Sequence, residues 1–154
     1  MLVVGVGNEL RGDDGAGIAA VRRLSQDGKR EWIDFREHQG EPIGLLEVWQ
    51  GWEEVVLVDS MRSGSPPGTI RRFDPISEPL PAQLGGSSST HAFALEQTIE
   101  LGRALRKLPR RLVVFTAEGR TFEAGAGLSP ELEQALPALG DAVLREAADL
   151  RATN

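Results

Sequence analysis

The sequence predicts an α/β protein in which a sheet of about five strands, mostly parallel, lies between two layers of helices. The main observation is the order of the segments, because short apolar runs alternate with longer segments whose apolar residues recur every three or four positions. The second observation is that the strongest runs have no polar face, which is typical of parallel strands buried on both sides. The length of 154 residues fits a single domain, residues 1–154, with its own hydrophobic core.

Five segments of the chain are predicted to be strands. The clearest are the apolar runs at residues 2–6, 55–58 and 112–115, which are rich in valine and leucine. Residues 32–35 are a weaker candidate and would form the second strand along the chain. Residues 69–73 follow a turn rich in Gly and Pro, and we expect them to form an edge or hairpin strand.

Four helices are predicted between and after these strands. The first begins near Asp13 and Asp14, because acidic residues are favoured at helix N-termini, and the second begins near Pro42. The third is expected over residues 91–107. Its predicted apolar face consists of Ala94, Thr98, Leu101, Leu105 and Leu108. Pro137 lies inside the fourth and is expected to break or kink it.

The composition disfavours several classes of function. Acidic residues outnumber basic residues by 23 to 17, and the net charge of −6 argues against binding to nucleic acid. The chain has no cysteine, which excludes disulfides, thiolate metal sites and thiol nucleophiles. No apolar run approaches the roughly 18 residues of a membrane span, and residues 2–6 are too short for a signal-peptide core. We therefore expect a cytoplasmic protein without a membrane span.

Side chains of metal-binding types lie at three places where ligands bind in α/β proteins. The loop after the first strand carries Asp13 and Asp14, the third strand ends in Asp59, and His91 precedes the long helix. Ligands bind beyond the carboxyl ends of such strands, so the two carboxylates and the imidazole are expected to converge. This set suits a divalent transition metal such as nickel, zinc or copper. Structural roles stay open: Asp14 as a helix cap, Asp59 in an Asx-turn, and His91 in the packing.

Two other kinds of site are disfavoured by the motifs. Gly5 and Gly7 lie between a strand and a helix, as in dinucleotide-binding folds, but Leu10 replaces the third glycine or alanine of that fingerprint. A nucleotide- or flavin-binding domain is therefore a weak alternative. The serines at 87–89 lack the Gly-x-Ser-x-Gly pattern around a nucleophilic serine, so a serine hydrolase is also disfavoured.

Five motifs, in order along the chain, resemble those of the NiFe-hydrogenase maturation endopeptidases. Residues 5–17 read Gly-Val-Gly-Asn-Glu-Leu-Arg-Gly-Asp-Asp-Gly-Ala-Gly, which is similar to the opening motif of that family. The other four are Val58-Asp59, the turn at residues 64–68, Ser89-Thr90-His91 and residues 125–130. The resemblance therefore spans nearly the whole chain.

The resemblance implies a fold, an activity and a site. The family fold is a twisted, mostly parallel sheet flanked by helices. Its members remove a short C-terminal extension from the hydrogenase large-subunit precursor once nickel is in place. The family's metal-binding triad falls on Asp14, Asp59 and His91, which are then both the metal ligands and the candidate catalytic residues. The nickel is expected to be carried by the substrate, the partner is the large-subunit precursor, and we expect a monomer.

The sequence departs from the family pattern at three places, and several alternatives are open. Ala92 follows the histidine where a glycine is common, Thr116-Ala117-Glu118 stands where many members have a Gly-Ile-Glu-like run, and Asp14 replaces the glutamate of some members. Hydrolysis is expected to be metal-assisted or of the aspartic type, with either Asp14 or Asp59 as the general base. A non-catalytic module that checks nickel or docks on the precursor would use the same triad.

Two further expectations concern the rim of the site. His38 follows the second strand, and we expect it to border the cleft or contact substrate rather than belong to the metal triad. Glu9, Leu10 and Arg11 lie between two glycines and are expected to project toward the partner, although an ordinary solvated turn is the alternative.

Overall fold

The computed structural model of the chain describes residues 1–28, 30–80 and 90–153, and of residues 90–94 it describes the main chain alone. The strands are β1 (Leu2–Val6), β2 (Asp34–His38), β3 (Glu54–Met61), β4 (Ile70–Phe73) and β5 (Arg111–Glu118). A short 3-10 helix, Gly12–Gly15, follows β1. The α-helices are α1 (Ala16–Gln26), α2 (Pro42–Val48), α3 (Thr90–Ala104) and α4 (Pro130–Ala152).

The five strands form one sheet in the order β2-β1-β3-β5-β4. All neighbouring pairs are parallel except β4 and β5, which are antiparallel at one edge. This confirms the predicted mostly parallel sheet and the edge position of the fourth strand. After β2 the chain crosses to the other side of β1 to add β3. The strands β1 and β3 therefore flank a topological switch point, where α/β proteins bind their ligands.

Helices cover both faces of the sheet, which confirms the three-layer architecture. Alternate residues of the buried strands pack on opposite faces, as the pleat requires. One core cluster joins the sheet to α1 and α4, and the other joins it to α2, its C-terminal Trp49 and α3. No helix in the described part of the chain is both long and apolar enough to cross a membrane.

The prediction that Pro137 breaks the last helix is wrong, because α4 continues unbroken from Pro130 to Ala152. Pro137 itself is exposed, so the carbonyl that loses its N–H donor lies on the solvent side of the helix. The buried Leu136 and Leu139 pack in the core on either side of it. Tertiary packing therefore stabilises helical turns on both sides of Pro137.

The predicted buried face of the third helix is also wrong in part. Leu101 is 37% exposed and Leu105 is 51% exposed, whereas Leu95 and Ile99 are buried. The helix ends at Ala104 instead of extending to residue 107. Gly102 explains the rotated face, since a Cβ there would lie 2.9 Å and 3.1 Å from two leucine side chains. The spacing of apolar residues predicts which side chains are buried. It does not predict a close contact that forms because a glycine has no side chain.

Candidate active site

Glycine contacts bring the first helix directly onto the switch point. A Cβ on Gly17, in α1, would lie 2.1 Å from the Val58 carbonyl oxygen and 2.5 Å from that of Val6. A Cβ on Gly5 would lie 2.4 Å from the carbonyl oxygen of Gly17. Only hydrogen atoms fit in these spaces, so the start of α1 and the preceding 3-10 helix lie close above β1 and β3.

Gly7 lies between the two aspartates that the sequence analysis selected. Its φ of +138° is open to glycine and strained for other residues. A Cβ there would lie 1.9 Å from the main-chain carbonyl oxygen of Asp14 and 3.9 Å from Oδ1 of Asp59. The amide of Asn8 donates to the same Asp14 carbonyl over 3.2 Å. The loop after β1 thus brings the 3-10 helix next to the Asp59 side chain.

Asp59 is a buried carboxyl inside β3, two residues before the strand ends. It follows Val58, the last residue of β3 that is paired with β1, and only 2% of it is exposed. Burial raises the pKa of Asp59 well above its ordinary value, and the nearby Asp14 carboxylate raises it further. The Ser60 amide, which donates to Asp59 Oδ1 over 2.7 Å, partly opposes this rise in pKa.

Asp14 is likewise buried, with 3% of its surface exposed. It lies in the 3-10 helix, and the residue before α1 is Gly15, with no side-chain capping hydrogen bond. Gly15, and not Asp14, is therefore the N-cap of α1. The Asp59 carboxylate accepts from the next amide inside β3. The two acidic side chains lie close together at the switch point.

Asp13 is a structural anchor beside them. Its fully buried carboxylate accepts hydrogen bonds from the amides of Arg120 (2.6 Å), Thr121 (3.1 Å) and Ser129 (2.6 Å). These amides belong to the loop between β5 and α4. The positions of the two adjacent aspartates in the sequence do not distinguish them, and the family resemblance selected Asp14 without assigning this anchoring role to Asp13.

Glu118 is a second buried anchor, at the end of β5. Its carboxylate accepts from the amides of Ser63 (2.8 Å) and Gly64 (2.9 Å) and from the Ser63 hydroxyl (2.8 Å). Only 2% of Glu118 is exposed. It holds the turn that follows β3, so the loops on this side of the Asp14–Asp59 pair are both tied by buried carboxylates.

The side chain of His91 lies outside the part of the chain that the structure describes. Its main chain belongs to the first turn of α3. The other end of α3 leads to Lys107, whose carbonyl accepts from the Trp49 indole over 3.1 Å, before β5 begins. The helix therefore runs antiparallel to the parallel strands, and its first turn lies toward the sheet edge that carries Asp59.

His38 lines a cleft that neighbours the site at Gly7 but is not lined by Asp14 or Asp59. The cleft has a volume of about 300 Å³ and is also lined by Gly7, Asn8, Glu9 and Leu10. The amide of Gly40 donates to His38 Nδ1 over 2.9 Å, so the imidazole is held in place. Burial lowers the pKa of His38, an effect that the Glu41 carboxylate partly offsets.

The loop after β1 is fixed in its main chain and exposed in its side chains. The amide of Gly125 donates to the Leu10 carbonyl over 2.8 Å, and the amide of Gly12 donates to the Ala126 carbonyl over 3.0 Å. Leu10 is nevertheless 72% exposed. Glu9 is paired with Arg22 of α1 over 2.9 Å. Gly12 has a φ of +58°, a conformation that glycine adopts readily.

The donor set that the structure describes fits a divalent cation but is incomplete. Among the described residues, no three His, Cys, Asp or Glu side chains form a group that could hold a metal ion. Asp14 and Asp59 supply carboxylate oxygens, which divalent cations accept, and a cation between them would offset the repulsion that raises the Asp59 pKa. A third ligand has to come from outside the described side chains.

The fold and the site together define a class of protein. It is a doubly wound α/β protein with two buried carboxylates at the switch point between β1 and β3. Residues 40–146 match the model of the hydrogenase maturation protease family, HycI, which is more than half of the chain. The chain therefore belongs to the hydrogenase maturation protease family, and it is a peptidase by that membership.

Individual relatives agree with this assignment. The chain is 26% identical over 141 residues to the hydrogenase expression/formation protein HupD of Thiocapsa roseopersicina, covering 87% of this chain and 61% of that relative. It is 26% identical to the hydrogenase 2 maturation protease of Escherichia coli, covering 95% of this chain and 91% of that one.

The solved structures give the same fold. The maturating endopeptidase HybD of Escherichia coli aligns with a TM-score of 0.79 and 25% identity, covering 99% of this chain and 93% of that one. HybD of Thermococcus kodakarensis aligns with a TM-score of 0.73 and 26% identity, covering 95% and 97% respectively. The α/β fold predicted from the sequence is thus shared along almost the whole chain.

Proposed function

We propose that this protein is an endopeptidase that removes the C-terminal extension of a NiFe-hydrogenase large-subunit precursor after nickel insertion. The bound nickel acts as the recognition element. The observation that carries the proposal is the buried Asp14–Asp59 pair at the switch point, where burial and then the Asp14 charge raise the pKa of Asp59. Two acids held together in this way are poised either to bind a cation or to hold a proton.

Nickel carried by the precursor would relieve this repulsion. Asp14 and Asp59 would contribute oxygen ligands and His91 a nitrogen ligand, and all three are of types that nickel accepts. The chain has no cysteine, so it offers no thiolate that would compete for the metal with sulfur ligands of the substrate. A weak set of ligands of this kind would recognise nickel without removing it.

The proposed reaction is the hydrolysis of one peptide bond by one water molecule. The oxygen of a water molecule attacks the scissile carbonyl carbon, the C–N bond breaks, and the released amine takes up a proton. Asp59, whose raised pKa favours its protonated form, is suited to hold that proton in an aspartic-type reaction. In a metal-assisted reaction the same carboxyl is a ligand instead, so the two mechanisms make different demands on Asp59.

The test is cleavage of purified precursor with and without nickel, followed by the mass of the large subunit. We expect trimming of the nickel-loaded form and little or none of the nickel-free form. Equal trimming of both forms would reject nickel recognition and keep the protease. Tight association without trimming of either form would favour a docking module.

Variants assign the activity to the site. Asp14→Asn, Asp59→Asn and His91→Ala are each expected to abolish trimming while the protein remains folded. Asp141→Asn, on the exposed side of α4, is the matched control and is expected to trim at the wild-type rate. Normal trimming by any of the three site variants would remove that residue from the mechanism.

A further inference from the structure

We propose that Asp13 is a positioning residue for the site: its carboxylate ties the 3-10 helix to the loop between β5 and α4 and so holds Asp14 toward Asp59. The inference rests on the proposed roles of Asp14 and Asp59. Asp13, the first of the two adjacent aspartates, takes no direct part in the proposed chemistry.

Both oxygens of the Asp13 carboxylate accept hydrogen bonds from main-chain amides. Oδ2 accepts from the amides of Arg120 at 2.6 Å and Thr121 at 3.1 Å, and Oδ1 accepts from the amide of Ser129 at 2.6 Å. The two shortest distances are shorter than those of most N–H···O hydrogen bonds. No part of Asp13 is exposed, so these donors replace the water that the carboxylate loses on burial.

The contact is reinforced by the main chain and by a close approach. The Asp13 amide donates to the Thr121 carbonyl over 2.8 Å, so Asp13 both donates to and accepts from that residue. A Cβ on Gly119 would lie 3.0 Å from the Asp13 Cβ, which leaves little room for movement between the loop and the 3-10 helix. Ser129 also caps α4, with its side chain accepting from Leu132. The 3-10 helix is therefore fastened to both β5 and α4.

The geometry of a 3-10 helix explains how one aspartate orients the next. Successive side chains are rotated by about 120° in a helix with three residues per turn. With Asp13 directed to the β5–α4 loop, Asp14 is turned away from that loop, and its main chain lies against Gly7, beside the Asp59 carboxylate of β3. Rotation of the short helix would move both side chains together. The hydrogen bonds to Asp13 prevent that rotation.

An aspartate is required because the carboxylate faces only donors. In an Asp13→Asn variant, the side-chain NH2 would point at one or two amide N–H groups that need an acceptor. We expect this variant to fold and to process the nickel-loaded precursor poorly. At a temperature where both proteins are fully folded, kcat/KM on that precursor should fall at least tenfold, with kcat itself reduced.

A second pair of variants tests the same contact from the other side. Ser129→Pro removes the amide that donates to Asp13, and its φ of −65° already suits proline. Ser129→Ala keeps that amide and loses only the cap. A positioning role predicts that kcat falls for Ser129→Pro and not for Ser129→Ala, which a role in helix capping alone would not produce.

Binding of Ni²⁺ alone to the purified protein separates the two proposals. We expect at least tenfold weaker Ni²⁺ binding by calorimetry for Asp13→Asn and Ser129→Pro, and wild-type binding for Ser129→Ala. Folded variants with wild-type kcat and wild-type Ni²⁺ affinity would overturn the positioning role. A wild-type protein that fails to trim the precursor overturns the proposed function, while the Ni²⁺ series still decides whether Asp13 positions the site. A wild-type protein without Ni²⁺ affinity or trimming overturns both.

Discussion

Gly7 and Asp14 approach each other so closely that a Cβ on Gly7 would lie 1.9 Å from the Asp14 carbonyl oxygen. The contact joins the end of β1 to the 3-10 helix, with the Asp59 carboxylate on the same side of Gly7. The glycine is therefore a requirement of the site geometry, since any side chain would push Asp14 away from Asp59.

Gly7→Ala is expected to be strongly destabilising. The change adds a clash with main-chain atoms to an unfavourable φ, and we expect the free energy of unfolding to fall by about 2–4 kcal/mol. Gly28→Ala is a matched control, because Gly28 has a φ of +135° and nothing within 4 Å of an added Cβ. Urea denaturation of both variants separates the clash from the backbone strain. Similar losses in the two proteins would contradict the argument.

Asp59→Asn is expected to stabilise the metal-free protein at neutral pH. The substitution removes a carboxyl whose ionisation is disfavoured by burial and by Asp14, while the side-chain oxygen can still accept from the Ser60 amide. A gain of about 1–2 kcal/mol in the free energy of unfolding at pH 7 is typical of relieving such strain at a functional site. Chemical denaturation in the presence of a chelator measures it.

The same substitution has a defined pH dependence. Because the folded-state pKa of Asp59 is raised above its ordinary value of 3.8, the folded state holds its proton more tightly than the unfolded state. Wild-type stability relative to Asp59→Asn is therefore greatest below pH 3.8, falls as the pH rises, and levels off above the raised pKa. Asp141→Asn, on the surface, should show no such trend. A stability difference for Asp59→Asn that is independent of pH would reject the raised pKa.

Glu118→Ala is expected to release the turn after β3. The variant leaves the amides of Ser63 and Gly64 without their acceptor, and we expect the free energy of unfolding to fall by about 2–4 kcal/mol. Glu118→Gln keeps an acceptor oxygen for both amides and should lose much less. Hydrogen exchange of these two amides should accelerate in the alanine variant only. Unchanged exchange would mean that the turn is held by other contacts.

The fold was predictable from the sequence because its strands are short, continuous apolar runs. Residues 55–58 are such a run, and they lie in the centre of the sheet as part of β3. The predicted second strand, 32–35, was displaced, because β2 extends from Asp34 to His38 and carries charged residues at an edge of the sheet. A partly exposed edge strand has no continuous apolar run to mark it.

The site was predictable in part. The position of Asp14 after β1 and of Asp59 in β3 followed from the rule that ligands bind at the carboxyl edge of the sheet. The separate role of Asp13 was not predictable, since two adjacent aspartates differ only in the direction of their side chains. That direction is set by a 3-10 helix and by amides more than a hundred residues away in the chain.

His38 and His91 are expected to have different roles, with His38 at the rim of the cleft and His91 as a metal ligand. His38 is held by the Gly40 amide at the border of the cleft, on the opposite side of β1 from Asp59 in the strand order. We expect His91→Ala to weaken Ni²⁺ binding at least tenfold and His38→Ala to change it less than threefold, as measured by calorimetry. Equal losses would make His38 a ligand and contradict its position at the rim.

Leu10 is expected to contact the precursor directly. Its main chain is fixed by the Gly125 amide, yet its side chain is 72% exposed next to the cleft that His38 borders. An exposed leucine on a rigid loop contributes apolar surface to a partner without a large entropic cost. Leu10→Ser should therefore raise KM for the nickel-loaded precursor about tenfold, or about 1.4 kcal/mol, with kcat unchanged. Arg11→Ala, in the same loop, should act in the same direction while the fold is kept.

Leu105→Ser is the matched control for Leu10→Ser. Leu105 is 51% exposed and follows α3 at the opposite end of the sheet from Asp59, close to the Lys107 carbonyl that accepts from Trp49. Both substitutions remove a similar exposed leucine, so a general effect on solubility or stability would appear in both. Steady-state kinetics should separate them, with KM raised only for Leu10→Ser. Wild-type kinetics for both Leu10→Ser and Arg11→Ala would identify residues 9–11 as an ordinary solvated turn, because a loop that contacts the precursor cannot lose its most exposed apolar side chain without weakening the complex.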